Sequence, residues 1–243
     1  MNSLLCVIPA RYGSSRLPGK PLEIIHGKPM IYWVAKRIEA SNIEEYIVAT
    51  DDMKIQNCCD SLNIPCTITS PDCENGTERI AEVSLKISRE FYINVQGDEP
   101  LISVDAINAL ADRCRSSDFD GFLQAVSPLS GDFVDDRSIV KVCVNGAGKV
   151  VYLSRAAVPF SRDGEPVEYL RCLGLYGYSR SFLSRYLGTE PGYLENIEKI
   201  EQLRCFESDI PMEAVSVEDE GFSIDTPQDL AVVKKLPIEK FLV

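Results

Sequence analysis

Leu4-Leu5-Cys6-Val7-Ile8-Pro9-Ala10 runs straight into Arg11-Tyr12-Gly13-Ser14-Ser15-Arg16-Leu17-Pro18-Gly19-Lys20-Pro21. A short apolar run of this kind, ended by a proline, reads as a buried strand over Leu4–Ile8. The segment after it reads as a loop rather than a helix start. Its two glycines and two serines allow backbone N–H groups to turn inward on an anion. Arg11, Arg16 and Lys20 add three cations, and no acidic residue precedes Glu23. A triphosphate needs such a setting, both at rest and as charge grows on a leaving pyrophosphate. The loop is not a P-loop, because G-x-x-x-x-G-K-[ST] is absent. A solvated basic loop is the bland alternative, and the compact spacing at a strand end argues against it.

Outward from this stretch, strands and helices alternate. Helical spacing marks Met30–Ala40, Met53–Leu62, Thr77–Ser88 and Val104–Cys114, and short apolar runs mark Tyr46–Ala49, Cys66–Thr69, Phe91–Val95 and Gly121–Val126. This rhythm predicts an α/β fold with a mostly parallel sheet covered by helices on both faces. It breaks after about Ser127. Val140–Val144 and Val150–Leu153 flank Asn145-Gly146-Ala147-Gly148-Lys149, a hairpin signal. The chain then continues through a polar loop over 155–168, a β-rich stretch at Tyr169–Tyr178, a helix over Ile197–Glu207 and a short strand at Phe222–Ile224. Thr226 and Pro227 read as the cap and first residue of a last helix.

The bulk numbers narrow the function classes. With 243 residues, the chain can bury a core without staples. Its formal net charge of -12 disfavours a nucleic-acid partner. No apolar run approaches the ~20 residues of a membrane span, and Met1–Ala10 lacks the basic start of a signal peptide. The nine cysteines include no C-x-x-C pair, so they read as reduced thiols in a cytoplasmic protein. Adjacent Cys58 and Cys59 read as small apolar residues on a helix. His26 is the single histidine and sits in a turn, which disfavours Ser-His-Asp hydrolysis, and no His/Cys cluster has zinc spacing.

Ligands of open α/β sheets gather beyond the carboxyl ends of the strands. Three further segments lie there. Asn94-Val95-Gln96-Gly97-Asp98-Glu99-Pro100 puts Asp98 at a strand end, where a carboxylate suits a hard cation, although Gly-Asp-Glu-Pro is also good turn chemistry. Gly221-Phe222-Ser223-Ile224-Asp225-Thr226-Pro227 offers a second carboxylate at a strand end, although an Asp or Thr before Pro is also an ordinary helix cap. Ser70-Pro71, with Asn75-Gly76-Thr77-Glu78-Arg79, suits recognition of a base and ribose by backbone groups, or simply caps a helix.

Taken together, these segments resemble the 3-deoxy-manno-octulosonate (Kdo) cytidylyltransferases. The resemblance is carried by Ile8–Pro21, Gly27–Ile31, Val48–Asp52, Ser70–Asp72, Gly76–Val83, Asn94–Ile102, Ser154-Arg155, Gly174–Tyr178, Glu201–Arg204 and Ile224–Pro227, in order along nearly the whole chain. It implies a single Rossmann-like nucleotidyltransferase domain over 1–243, with an embedded dimerisation and acceptor-binding region at about 128–195. It also implies a homodimer that transfers CMP from CTP to a small sugar acid, with Mg²⁺ as cofactor. By this resemblance Ala10, Arg11, Gly13, Arg16, Lys20, Ser70, Gly76 and Arg79 bind the nucleotide. Lys20, Asp98 and Arg16 act in catalysis, and Asp98 and Asp225 hold the metal. Gln96, Arg155, Arg162, Tyr176, Glu201 and Gln202 bind the acceptor. Arg155 and Arg162 have a physical case besides, since guanidinium pairs well with carboxylate. One position departs from the family, which usually has histidine where Cys172 stands. Two alternatives therefore stay open: a different small-acid acceptor, such as another ulosonic acid, a sialic-type acid or a phosphonate, and a nucleotide-binding regulatory protein without turnover.

Overall fold

The computed structural model describes residues 3–14, 16–116, 119–219 and 222–243. Ser15 and Gly221, which belong to two of the motifs above, lie outside them. The opening strand, β1 (Leu4–Ala10), carries through Pro9 to the edge of the phosphate-type loop. Its side chains alternate: Cys6, Ile8 and Ala10 join one apolar cluster and Leu5 and Val7 the other. That alternation places β1 in the middle of a sheet buried on both faces.

After a two-residue ribbon, β2 (Ile24–Ile25) with β3 (Lys28–Pro29), come α1 (Met30–Glu39), β4 (Tyr46–Thr50), α2 (Met53–Ser61), β5 (Cys66–Ile68), α3 (Gly76–Lys86), β6 (Phe91–Val95), α4 (Val104–Cys114) and β7 (Phe122–Leu129). The second half contains β8 (Lys141–Val144), β9 (Val150–Ser154), β10 (Tyr169–Ser179), α5 (Arg180–Leu187), α6 (Tyr193–Glu198), α7 (Leu203–Glu207), β11 (Met212–Ser216) and α8 (Pro227–Val233). The sheet order is β11-β7-β10-β6-β1-β4-β5, with the β8–β9 hairpin attached to β10. Strands β6, β1, β4 and β5 are parallel to their neighbours in that run, whereas β10 is antiparallel to both β6 and β7. One face is covered by α1 and α4 through Ile31, Val34, Ile38, Ile107 and Leu110. The other is covered by α3 and α5 through Ile80, Val83, Phe182 and Tyr186. Among the described residues no helix is long and apolar enough to cross a membrane.

Two second-half expectations need correction, and one strand went unmarked. The helix expected over Ile197–Glu207 is two short helices, α6 and α7, separated at Lys199, whose φ of 53° is left-handed. Arg204 pairs with Glu195 at 2.7 Å. Nine residues along an unbroken helix would put those two on opposite sides, so the pair requires the break. Phe222–Ile224 is not a strand. Ile224 makes one backbone bond, to the Asp98 carbonyl at 2.9 Å, and the chain of β6 has already turned at Gly97. Strand β11, unmarked in the sequence, is an edge strand paired in parallel with β7 and only half-buried, so its pattern is faint.

Candidate active site

The loop after β1 is folded on itself by the Tyr12 carbonyl, which accepts from the N–H groups of Ser14 and Gly19, both at 2.9 Å. Gly19 has φ 71°, and a Cβ there would meet the Tyr12 ring at 3.2 Å, so glycine is required. This turn delivers Lys20 to the sheet edge. Its ammonium lies 2.5 Å from Asp98 Oδ2 and 3.1 Å from Asp225 Oδ1. Arg16 reaches the same Asp225 oxygen at 3.0 Å. Burial alone would lower the Lys20 pKa, but the two carboxylates outweigh it and the pKa is raised. Lys20 is therefore a cation at every physiological pH.

Asp98 and Asp225 meet although 127 positions separate them, for two reasons. Gly97 lets β6 end hard against β1, since a Cβ there would lie 2.9 Å from the Pro9 carbonyl. The Ile224 bond to Asp98, with Ile224 fully buried beside Leu17, Trp33 and Phe241, then fixes the second carboxylate beside the first. Thr226 caps α8, as its sequence predicted, and forms a capping box with Asp229.

Two cavities adjoin this cluster. One, of about 410 Å³, runs from Arg11, Arg16 and Lys20 to Cys73, Asn75, Gly76 and Arg79. The other, of about 1070 Å³, is walled by Glu99, Ser130, Arg171, Cys172 and Phe222. Arg16, Gln96, Asp98, Tyr176, Gln202 and Asp225 line both. The two carboxylates thus stand at the junction of a long polar groove and a wider chamber. Such a junction can present two reactants to each other.

A sequence model of the cytidylyltransferase family matches residues 5–214. The chain belongs to the cytidylyltransferase family. The 3-deoxy-manno-octulosonate cytidylyltransferase of Polynucleobacter asymbioticus is 42% identical to it, over 96% of this chain and 94% of the relative. The Escherichia coli relative of the same name is 37% identical, over 97% and 96%. A solved structure of CMP:2-keto-3-deoxy-manno-octonic acid synthetase complexed with CTP superposes with a TM-score of 0.91 at 36% identity, covering 96% of this chain and 97% of that one. The inositol-1-phosphate CTP transferase of T. maritima, at 15% identity and a TM-score of 0.67, shares the fold.

In this cytidylyltransferase most of the expected nucleotide residues surround the narrower cavity. Ala10, Arg11, Arg16, Lys20, Gly76 and Arg79 line it, and Gly13 and Ser70 do not. Arg79 is buried and holds other groups in place: it donates to Asp51 at 3.2 Å, to Thr69 Oγ1 and to the Ser70 carbonyl. Glu82 grips the same loop, accepting from the Ser70 N–H at 2.7 Å and from the Cys73 thiol at 3.4 Å.

The expected acceptor residues divide. Gln96, Tyr176, Glu201 and Gln202 line the site. Glu201 accepts from the Thr77 N–H at the start of α3, at 3.5 Å. Burial pushes its pKa up to about 7. Arg155 also lines the groove, but its guanidinium donates to the carbonyls of Arg137, Ser138, Glu198 and Lys199. It pins a loop, which displaces the expectation of a carboxylate partner. Arg162 is 90% exposed on the 155–168 loop beside Asp163 and lines neither cavity. The local pattern of Ser-Arg-Asp could not reveal that the loop points outward.

Several residues that line the chamber or support its wall had no distinctive signal in the sequence. Lys141 is fully buried, and its ammonium donates to the carbonyls of Asp136, Ile139 and Arg155 at 2.6–2.8 Å. Arg171 donates to Ser127 Oγ at 3.0 Å and to the Asp219 carbonyl at 2.9 Å. Glu99 is buried beneath the chamber, accepting from the Gly174 N–H at 2.8 Å through one oxygen while the other has no hydrogen-bond partner among the described residues. Desolvation, with Asp98 beside it, raises its pKa to about 8. Cys172 lines the chamber as a neutral thiol, its pKa raised by burial.

Proposed function

We propose that this cytidylyltransferase transfers CMP from CTP to Kdo, releasing pyrophosphate. The single observation that carries the reading is the junction itself: Arg16, Asp98 and Asp225 line both the narrower groove and the wider chamber, and Arg11 and Lys20 stand beside them in the groove. The name shared by the relatives supports Kdo as the acceptor. In this reading Arg11, Arg16 and Lys20 hold the triphosphate, and the 70–79 loop receives cytosine and ribose. The acceptor's anomeric hydroxyl enters from the chamber past Gln96 and Tyr176 and attacks the α-phosphorus opposite the departing pyrophosphate. Lys20 and Arg16 offset the growing negative charge.

We assign the metal to Asp98 and Asp225. The two carboxylates share the Lys20 ammonium, so their oxygens already converge. No third His, Cys, Asp or Glu joins them among the described residues. Two hard oxygen donors with open positions suit Mg²⁺, which retains waters and phosphate oxygens as its other ligands. When bound, it supplies positive charge at the α-phosphate. We give the task of meeting the acceptor's carboxylate to Arg171, which lines the chamber while also holding Ser127 and the Asp219 carbonyl. Its guanidinium fork suits a carboxylate in a way that the neutral Cys172 thiol does not.

We further propose a cytoplasmic homodimer, with its interface in the 128–195 region, where Phe133, Val151, Phe160 and Tyr193 are exposed. The nine free thiols support the compartment.

Pyrophosphate release with CTP, Mg²⁺ and a panel of sugar acids tests the reading. Rapid release with Kdo supports it and makes Cys172 a tolerated substitution. Silence with Kdo and release with another acid reassigns the acceptor. Silence with every acid overturns turnover altogether.

A further inference from the structure

The carboxylate pair already holds a cation, and it is the chain's own. Lys20 Nζ sits between Asp98 Oδ2 and Asp225 Oδ1, at 2.5 and 3.1 Å, with Arg16 on the same Asp225 oxygen at 3.0 Å. The Lys20 side chain is only 12% exposed, so this ammonium is shielded within the site. A divalent ion bridging both carboxylates would have to stand where the ammonium stands. Two cations cannot share that position, because their repulsion at contact distance is large in a half-buried site.

We propose that Lys20 is a built-in placeholder: it occupies the divalent-cation position in the free enzyme and yields it only when a triphosphate draws the ammonium away. The inference rests on the cytidylyltransferase reading above.

The local structure permits the exchange without movement of the main chain. Lys20 opens a one-turn 3₁₀ helix whose Pro21 is buried, and the Gly19 turn in front of it is fixed by the Tyr12 carbonyl. The backbone is therefore held, and the four-carbon stem alone swings. A lysine ammonium is a compact charge with three rotatable donors, suited to changing partners in this way. Arg11, Arg16 and Lys20 line one groove, so a triphosphate arriving there offers Lys20 more negative charge than the two carboxylates do. As the ammonium leaves, Asp98 and Asp225 are exposed together, and the metal enters with the nucleotide.

The exchange affects binding in two ways. While Lys20 is in place, the carboxylates do not repel each other and keep their converging geometry. Occupancy by metal and by nucleotide become coupled, and the coupling is reciprocal by linkage. Free divalent metal would otherwise sit on the carboxylates without substrate.

The test is Mn²⁺ binding, read from the free-ion electron paramagnetic resonance signal, with no nucleotide present. The proteins compared are the wild type, Lys20→Met, and Lys20→Met combined with Asp98→Asn. Lys20→Met is expected to bind Mn²⁺ about tenfold more tightly than wild type, within the usual range of coupling between two ligands. Adding Asp98→Asn should abolish that gain. Arg16→Met, which removes one contact to Asp225, gives a smaller gain of the same sign and serves if Lys20→Met does not fold. Equal or weaker Mn²⁺ binding in a folded Lys20 variant overturns the proposal. Wild-type pyrophosphate release, measured separately, tests the enzymatic reading. A gain in Mn²⁺ affinity with no turnover leaves the placeholder standing and removes the reaction, and the opposite pattern does the reverse.

Discussion

Asp98 carries the most at the scale of a single residue, because it faces both cavities and the Lys20 ammonium. Asp98→Asn should lower turnover by roughly a hundredfold or more, as loss of a preorganised charge does. CTP binding, followed by calorimetry, should persist, and near wild-type turnover would remove Asp98 from the metal site. Its neighbour Glu99 gives a pH prediction. Unfolded, its carboxyl titrates near the ordinary 4.5; folded, it keeps its proton up to about 8. Between those values the folded chain binds more protons than the unfolded one, so stability falls as pH rises through that window and is level on either side. Glu99→Gln lacks the slope. Its melting temperature relative to wild type should rise between pH 5 and pH 8, and a flat difference would refute the buried neutral acid. Arg171→Met should raise the acceptor KM several-fold while leaving the CTP KM in place, which pyrophosphate assays at varied acceptor resolve.

Loops held from below by helices decide affinity at the scale of elements. The stretch between β5 and α3 is tied by Glu82 and Arg79, both reaching back from α3. Glu82→Gln weakens the charge-assisted bonds to Ser70 and Cys73. The CTP KM should rise about three- to tenfold, equivalent to about 1 kcal/mol, with little change in kcat. Unchanged KM would show that the loop is ordered without it. Residues 136–139, on the chamber side, are gathered by Lys141 and Arg155 through their carbonyls. Lys141→Met would leave three carbonyls without their buried donor and should destabilise the fold by about 2 kcal/mol or more, measured by urea unfolding. Elements with strong periodicity were legible beforehand. Helices α1 and α4 and strand β6 lie within a residue of their expected bounds, because the helices pack an apolar face onto the sheet, β6 is buried on both of its faces, and each must show this in sequence. The helix break at Lys199 was not legible, since the apolar spacing of Ile197, Ile200 and Leu203 continues across it and only the Glu195–Arg204 pairing demands the bend.

For the molecule as a whole, the exposed apolar residues Val151, Phe160 and Tyr193 of the second half stand out against a net charge of -12. Light scattering should report twice the 27.0 kDa of one chain. Val151→Glu with Phe160→Glu should return a folded monomer, and a monomeric wild type would refute the dimer. The sequence alone determined the alternating α/β architecture, the cation-bearing loop after β1 and the candidate carboxylates, because each is a local pattern set by backbone periodicity or by charge placed at a strand end. Tertiary structure alone decided which of these come together. The bond from Ile224 to the Asp98 carbonyl and the antiparallel insertion of β10 beside β6 bring distant segments to one edge. The same packing turned Arg155 onto main-chain carbonyls, left Arg162 in solvent and lined the chamber with Arg171. An arginine's partner depends on what folding puts within reach of its guanidinium, and no short window of sequence contains that information.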